Sequence, residues 1–319
     1  MLRFLFQRVL VFIPTLVGIS LLVFFIIRQI PGDAISARLG AEATGELTPQ
    51  QLADYRAYFG LDKPLTQQYF EWISKVLQGD LGDSEVRHES VLTAIGKTFP
   101  LTLEMTFMAL VIALIIGLPI GILSAVYPNS LTDLVSRLIG LLGLSLPSFW
   151  LGTLIILLLS TVFHFMPNAG RYYPPSEDLG RNLVQLIFPA FTLGFAFAAS
   201  VMRTTRAVML ETLLQDYVRT ARSKGLHERT VILRHALRNS LIPIITLVGI
   251  EMGYLLGGAV LVENVFALPG IGQLTYIAIR QRDYALVQGA VLFIAFDFVL
   301  INLFVDFLYS LVDPRISHA

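Results

Sequence analysis

Six apolar runs constrain this chain more than any other feature of its sequence: Val9–Ile27, Leu101–Val126, Leu134–Phe163, Leu186–Met202, Ile242–Val262 and Ala285–Leu311. A run of about 20 apolar residues is long enough to cross a bilayer as a helix. In lipid every backbone polar group must be satisfied within the segment, which leaves the helix as the form for isolated spans. The composition agrees: 55% of the 319 residues are hydrophobic and only 14% are charged, with mean hydropathy +0.70. The expected fold is therefore an all-α membrane protein of about six transmembrane helices. Val9–Ile27 exceeds the apolar core of a secretory signal, roughly 7–15 residues, and is read as a retained first span. Pro14, Pro119, Pro147 and Pro189 fall inside or at the ends of the runs, where neighbouring helices satisfy the freed carbonyls. Gly117, Gly121, Gly140 and Gly143 point to close helix packing.

Charge decides orientation. The 23 basic and 23 acidic residues cancel, so no global charge suggests nucleic acid. Eight basic residues, however, crowd the stretch between the fourth and fifth runs: Arg203, Arg206, Arg219, Arg222, Lys224, Arg229, Arg234 and Arg238. Only Glu211, Asp216 and Glu228 oppose them. With six spans, this loop and the N-terminal tail carrying Arg3 and Arg8 fall on one side, which the positive-inside rule assigns to the cytoplasm. Residues 29–98 and the loops 164–185 and 263–284 then lie outside. There is no cysteine, which excludes disulfides and thiolate chemistry. The five histidines show no metal-ligand spacing.

The basic loop is patterned. Leu214, Tyr217/Val218 and Ala221 are spaced as one face of a short helix, and Gly225 offers the left-handed position that ends it. A second short helix is expected with Ile232/Leu233 and Ala236/Leu237 as its apolar stripe and Arg234 and Arg238 on another face. Such a helix–glycine–helix suits a soluble partner. The same charges also fit a plain anchor to anionic lipid, worth about 1 kcal/mol per Lys or Arg.

Residues 31–97 read as a folded helical segment. Thr48-Pro49 with Gln51 gives a helix start, followed by the stripe Leu52, Tyr55, Phe59 and a stop at Gly60. A second helix near Thr66 to Leu77 places Tyr69, Ile73 and Val76 together and ends at Gly79. Two readings fit: a hairpin capping the first span, or a platform for an extracytoplasmic partner, with Tyr55, Tyr58, Tyr69 and Trp72 as its aromatic surface. Gly96-Lys97-Thr98 resembles the tail of a phosphate loop, but Val91 stands where its first glycine belongs. Glu251 and Asp297 lie deep in the fifth and sixth runs, where a carboxylate must face the bundle interior or water. Each is a candidate pathway group or an interhelical hydrogen bond.

From Asp216 to Pro243 the chain resembles the coupling loop of binding-protein-dependent ABC importer permeases. Gly225 matches the loop's glycine and Ala221 its second alanine, while Arg219, Thr220, His235 and Arg238 depart from the general pattern. R-T-A-x-x-K-G-L is the form carried by the dipeptide/oligopeptide/nickel permease family, and the rest of the chain resembles its B-type subunit. The supporting motifs are Pro31-Gly32-Asp33, Phe59-Gly60-Leu61-Asp62-Lys63-Pro64-Leu65, Gly79-Asp80-Leu81-Gly82-Asp83-Ser84, Ser145-Leu146-Pro147-Ser148-Phe149-Trp150, Glu263-Asn264-Val265-Phe266, Pro269-Gly270-Ile271-Gly272, Arg282-Asp283-Tyr284 and Asp313-Pro314-Arg315.

The resemblance implies a non-enzymatic transport subunit of the bacterial inner membrane with both termini cytoplasmic. Its partners would be a homologous second permease, two cytoplasmic ATPases and an extracytoplasmic binding protein. ATP and Mg would be bound by the ATPases, leaving this chain no cofactor of its own. Asp216, Arg219, Thr220, Ala221, Arg222, Lys224 and Gly225 would form the ATPase-coupling element, with Pro147 and Pro269-Gly270 as bend points. The expected domains are 1–30 (tail and first span), 31–97 (extracytoplasmic segment) and 98–313 (permease domain). Short peptides are the expected cargo. Nickel, glutathione or another small solute on the same architecture is the alternative. A secondary transporter would show internal repeats and a membrane enzyme a catalytic constellation; neither is found.

Overall fold

The computed structural model describes residues 2–29, 48–58, 62–167 and 171–312. The motifs Pro31-Gly32-Asp33 and Asp313-Pro314-Arg315, the stop at Gly60 and the first three residues of the Phe59–Leu65 motif lie outside the described residues. In chain order the elements are α1 (Leu2–Gln29), α2 (Pro49–Tyr58), α3 (Leu65–Leu77), a two-stranded antiparallel ribbon of β1 (Asp83–Ser84) and β2 (Glu89–Ser90), α4 (Val91–Val126), α5 (Leu131–Ser145), α6 (Ser148–Thr161), α7 (Leu179–Leu213), α8 (Asp216–Ser223), α9 (Glu228–Thr230), a π-helical turn (Val231–Ala236), α10 (Leu237–Phe266), α11 (Ile271–Gln281) and α12 (Tyr284–Val312). Among the described residues five helical stretches are long and apolar enough to cross a bilayer; the bent pair α5–α6, counted as one span, makes six.

The third span departs from the sequence reading. Leu134–Phe163 reads as one apolar run, yet the chain bends by 106° between α5 and α6. Pro147 is the cause. Its ring pushes Leu146 out of the helical region, and Leu146 is extended with ψ 122°. The fifth span also differs. No separate second helix follows Gly225: α9, the π-helical turn and α10 run as one 39-residue helix from Glu228 to Phe266. The polar residues before Leu101 join the helix too, so α4 starts at Val91. Gly96-Lys97-Thr98 sits in its second turn, in helical backbone rather than a phosphate-cradling loop.

The packing divides into two units. Of the described residues, the first holds 2–5, 101–167, 171–268 and 301–312. One face of α4 runs through its core at intervals of four: Leu101, Met105, Ala109, Ala113, Gly117, Gly121 and Ala125 are all buried. Side-chain size falls along this stripe, so the backbones close in. A β-carbon built on Gly117 would lie 2.7 Å from the Ala198 carbonyl oxygen, and one on Gly121 2.7 Å from that of Met202. From α7, a β-carbon on Gly194 would lie 2.5 Å from the Ala109 carbonyl oxygen. Without a solvent-driven force between helices in lipid, such close contact supplies the association energy. Gly143 of α5 sits against Ala199 of α7 in the same way. Leu255, Ala259, Val262 and Phe266 of α10 complete the core.

Of the described residues, the second unit holds 6–29, 48–58, 62–100 and 269–300. Val23 and Ile27 of α1, Val91, Ala94 and Ile95 of α4, Leu274 and Ala278 of α11 and Leu286 of α12 form its core. The α2 cap is the one expected: Thr48 Oγ1 accepts from the Gln51 amide at 3.3 Å, and Gln51 Oε1 accepts from the Thr48 amide at 2.9 Å. Two of the motif stretches meet here. Arg282 ends α11 at φ 56°, and Asp283 caps α12 by accepting from the Leu286 amide at 3.1 Å. The other carboxylate oxygen of Asp283 accepts from the Ser84 hydroxyl. Tyr69 of α3 is buried, so it is not part of an exposed aromatic platform. Its hydroxyl lies 2.8 Å from Ser20 Oγ, and its ring packs edge-on against Phe24. The side chains of Tyr55 and Tyr58 lie outside the described residues.

Candidate functional site

Eight residues of α8 stand between two long helices, and two side chains fix them. Val218 and Ala221 point inward and are buried against Val231 and Leu213. Leu214 and Tyr217, expected on that face, are exposed instead. Leu214 closes α7 rather than entering α8, and Tyr217 is turned 100° away from Val218 around the helix. The helix ends in a Schellman motif: the Gly225 amide donates to the Arg222 carbonyl at 2.9 Å, and the Leu226 amide to the Ala221 carbonyl at 3.4 Å. Gly225 adopts φ 75°, where a residue with a β-carbon is strained.

The rest of the expected set faces solvent. Asp216 opens α8 with its side chain 98% exposed, 3.7 Å from Arg219. Thr220 Oγ1 donates to the Asp216 carbonyl at 2.9 Å. Arg222 forks onto Glu228, with Nη2–Oε1 at 2.7 Å and Nε–Oε2 at 3.2 Å, tying α8 to α9 across the glycine turn. This pairing raises the Arg222 guanidinium above its ordinary value. Arg219, Lys224, Arg229 and Arg234 are exposed. Ala221, turned inward, holds the helix down and leaves contact to its neighbours.

The π-helical turn seats this hairpin. Its wider winding brings residues five apart onto one side, and Val231 and Ala236, five apart, are both fully buried. Val231 packs under α8, while Ala236 packs with Met209 of α7 and Ala125 of α4. Ser240 Oγ donates to Thr212 Oγ1 at 3.1 Å, joining α10 to α7.

Sequence reasoning missed the charge cluster beneath. Asp133 is fully buried and accepts from Arg206 Nε at 2.7 Å, Arg206 Nη2 at 3.1 Å, Ser124 Oγ at 2.5 Å and the Asn129 amide at 3.0 Å. Arg206 is therefore committed to α4 and α5 and belongs to no outward basic rim. The only local signal was Ser130 three residues before Asp133, and Ser130 does cap α5. Glu263, fully buried, accepts from Thr102 Oγ1. Glu104 accepts from the Tyr172 hydroxyl at 2.8 Å. Burial, then Glu104, pushes the Tyr172 phenol up. Arg171 and Arg181 hold Tyr173 below its ordinary value.

The intramembrane acids differ. Glu251 of α10, in the first unit, is half-buried, two residues from Gly249, which presses on Val305 of α12. Asp297 of α12, in the second unit, is half-buried, with a buried Oδ2 that has no hydrogen-bond partner among the described residues.

The geometry is that of a rigid helical projection with a basic rim, fastened to three long helices. Comparison with known proteins gives it a context. Residues 117–318 match the family model described as "Binding-protein-dependent transport system inner membrane component", and residues 1–106 match that of its N-terminal region. The chain is 39% identical over 340 residues to the dipeptide transport system permease protein DppB of Escherichia coli (strain K12), covering 100% of this chain and 99% of that one. It is 40% identical over 337 residues to the di/tripeptide transport system permease protein DppB of Pseudomonas aeruginosa (strain UCBPP-PA14), with the same coverage. It is also 40% identical over 321 residues to the glutathione transport system permease protein GsiC of Escherichia coli (strain K12), covering 100% of both. Matched along its whole length, with five or six helical stretches among the described residues long enough to cross a bilayer, the chain belongs to the family of inner-membrane components of binding-protein-dependent transport systems, the ABC importer permeases.

Proposed function

We propose that this chain is one of two homologous permease subunits of an ABC importer that takes up short peptides, and that α8 with Gly225 is the element through which partner ATPases drive it. One observation carries the coupling reading: α8 is held rigidly by Val218 and Ala221 while presenting Tyr217, Arg219, Thr220 and Lys224 to solvent. A partner can shift a conformational equilibrium only through differential contact. A helix locked to α7 and α10 passes such contact on to the membrane core. Leu214, Leu226 and Leu233 add exposed apolar surface beside the charges, which a partner's groove would cover.

The topology in this reading puts the N- and C-termini and α8 in the cytoplasm, with α2 and α11 outside in reach of a binding protein. ATP and Mg belong to the ATPases. Dipeptide, di/tripeptide and glutathione permeases among the relatives all carry short peptides or a peptide-like tripeptide, which supports peptide as the cargo class. Glu251 and Asp297 are proposed to line the pathway and meet the cargo's amine or backbone. Family membership displaces the secondary-transporter and membrane-enzyme readings.

The test is purification of the tagged chain from native membranes, followed by uptake of labelled dipeptide, glutathione and nickel in vesicles containing the purified assembly, with the system's binding protein added. The expected result is co-purification of two ATPase copies and a second permease, with ATP-dependent uptake of the dipeptide. A chain that purifies alone, or uptake independent of ATP, overturns the reading. Uptake of glutathione or nickel without the dipeptide keeps the assembly and replaces the cargo.

A further inference from the structure

We propose that α3 is an interfacial helix, lying in the membrane leaflet where the Arg28 end of α1 emerges, with Phe70 and Leu77 immersed among lipid acyl chains. The proposal uses only the reading of α1 as a span; neither cargo nor coupling enters it. The apolar arc of α3 is wider than its partner covers. Tyr69 and Trp72 lie against Phe24 of α1, with ring centroids 5.3 and 5.7 Å away. On the flank of that contact Phe70 is 68% exposed and Leu77, seven residues on and so on the same face, is 82% exposed. Glu71 and Lys75, about 100° and 140° around the helix from Phe70, are exposed on its polar face, where Lys63 reaches Glu71 at 2.7 Å.

The height of α3 along α1 names the occupant. The spanning stretch of α1 is Leu10–Gln29, 20 residues, or about 30 Å at 1.5 Å per residue, which equals the hydrocarbon thickness. α3 touches α1 at Ser20, Phe24 and Arg28. Phe24 lies five residues before Gln29, about 8 Å below the end of the span, and the deeper contact at Ser20 is made by the tip of the Tyr69 side chain. A helix packed alongside those turns sits beside the acyl region, so the flank it leaves bare meets lipid. The lipid-facing surface of α1 continues it, with Leu22 and Ile26 more than half exposed. Arg28, stacked 3.5 Å over the Phe24 ring and donating to Gln68 at 3.1 Å, keeps its charge near the headgroups as its stem runs along the apolar surface.

Because the chain has no cysteine, single cysteines at Phe70, Leu77, Glu71 and Lys75 give clean spin-label sites in the complete transporter in phospholipid bilayers. The unmodified chain in the same assembly serves as the blank. The measurement is collisional broadening by oxygen, which partitions into lipid, and by a water-soluble nickel chelate, before and after adding binding protein. Labels at 70 and 77 should gain access to oxygen and lose access to the chelate, with labels at 71 and 75 reversed, and binding protein should change neither. Chelate access at 70 and 77 overturns the proposal. So does loss of access to both probes at those sites, which would place the second permease there, or binding protein if the loss follows its addition.

Discussion

Asp133 shows how much one residue holds and how little of it the sequence displays. Its partner Arg206 lies 73 positions on, and no local pattern joins them, so Arg206 reads as one more charge of the basic loop. Removing one side of a buried pair leaves the other charge uncompensated, at about 3–5 kcal/mol. Asp133→Ala should therefore lower the thermal stability of the solubilised chain strongly, while replacing both Asp133 and Arg206 with leucine should recover most of it. A melting curve for each variant decides between these outcomes. Gly121→Val should also destabilise, by about 1–3 kcal/mol as in other overpacked cores, because its β-carbon meets the Met202 carbonyl oxygen at 2.7 Å. The same assay reads it, and an unchanged melting temperature would contradict the close approach of α4 and α7. By contrast, the Thr48–Gln51 cap and the Gly225 turn were legible in advance. Both are local, formed by groups within a few residues of one another, so sequence spacing alone specifies them.

Among the elements, apolar runs located the spanning helices but not their ends or bends. A hydropathy run stops where polarity begins, whereas a helix stops where its backbone is capped. Hence α4 extends back to Val91 through Gly96 and Lys97, and α7 runs on to Leu213. The π-helical turn was invisible because its cause is tertiary: Val231 and Ala236 must both reach buried partners on different neighbours. The third run hid a 106° bend although Pro147 was visible, since proline is also tolerated in straight spans. Pro147→Ala frees Leu146 to become helical. In the variant, the spin-label distance between positions 134 and 158 should shift toward the value of a continuous helix, about 36 Å for 24 residues. An unchanged, shorter distance would mean that packing on α7 and α10, rather than the proline, sets the bend.

At the scale of the whole molecule, family and helical membrane architecture followed from motifs spread along the chain, while buried contacts such as Glu263–Thr102 and Asp283–Ser84 explain why two of those motifs carry acids. The central claim is that α8, held at the end of this scaffold, is where ATPases act. It is tested most directly at Gly225, which adopts φ 75° and has open space around its would-be β-carbon. A substitution there perturbs only the turn, by about 1–2 kcal/mol for a residue that resists the left-handed region, and leaves every charge in place. Asparagine tolerates that region and valine does not. The measurement is ATPase co-purification together with ATP-dependent peptide uptake for Gly225→Val and Gly225→Asn, each inserted in the membrane at the unmodified level. The account predicts that Gly225→Val loses ATPase association or uncouples hydrolysis from uptake while Gly225→Asn retains both. Full association and uptake in Gly225→Val would contradict it and leave the basic loop as a lipid anchor.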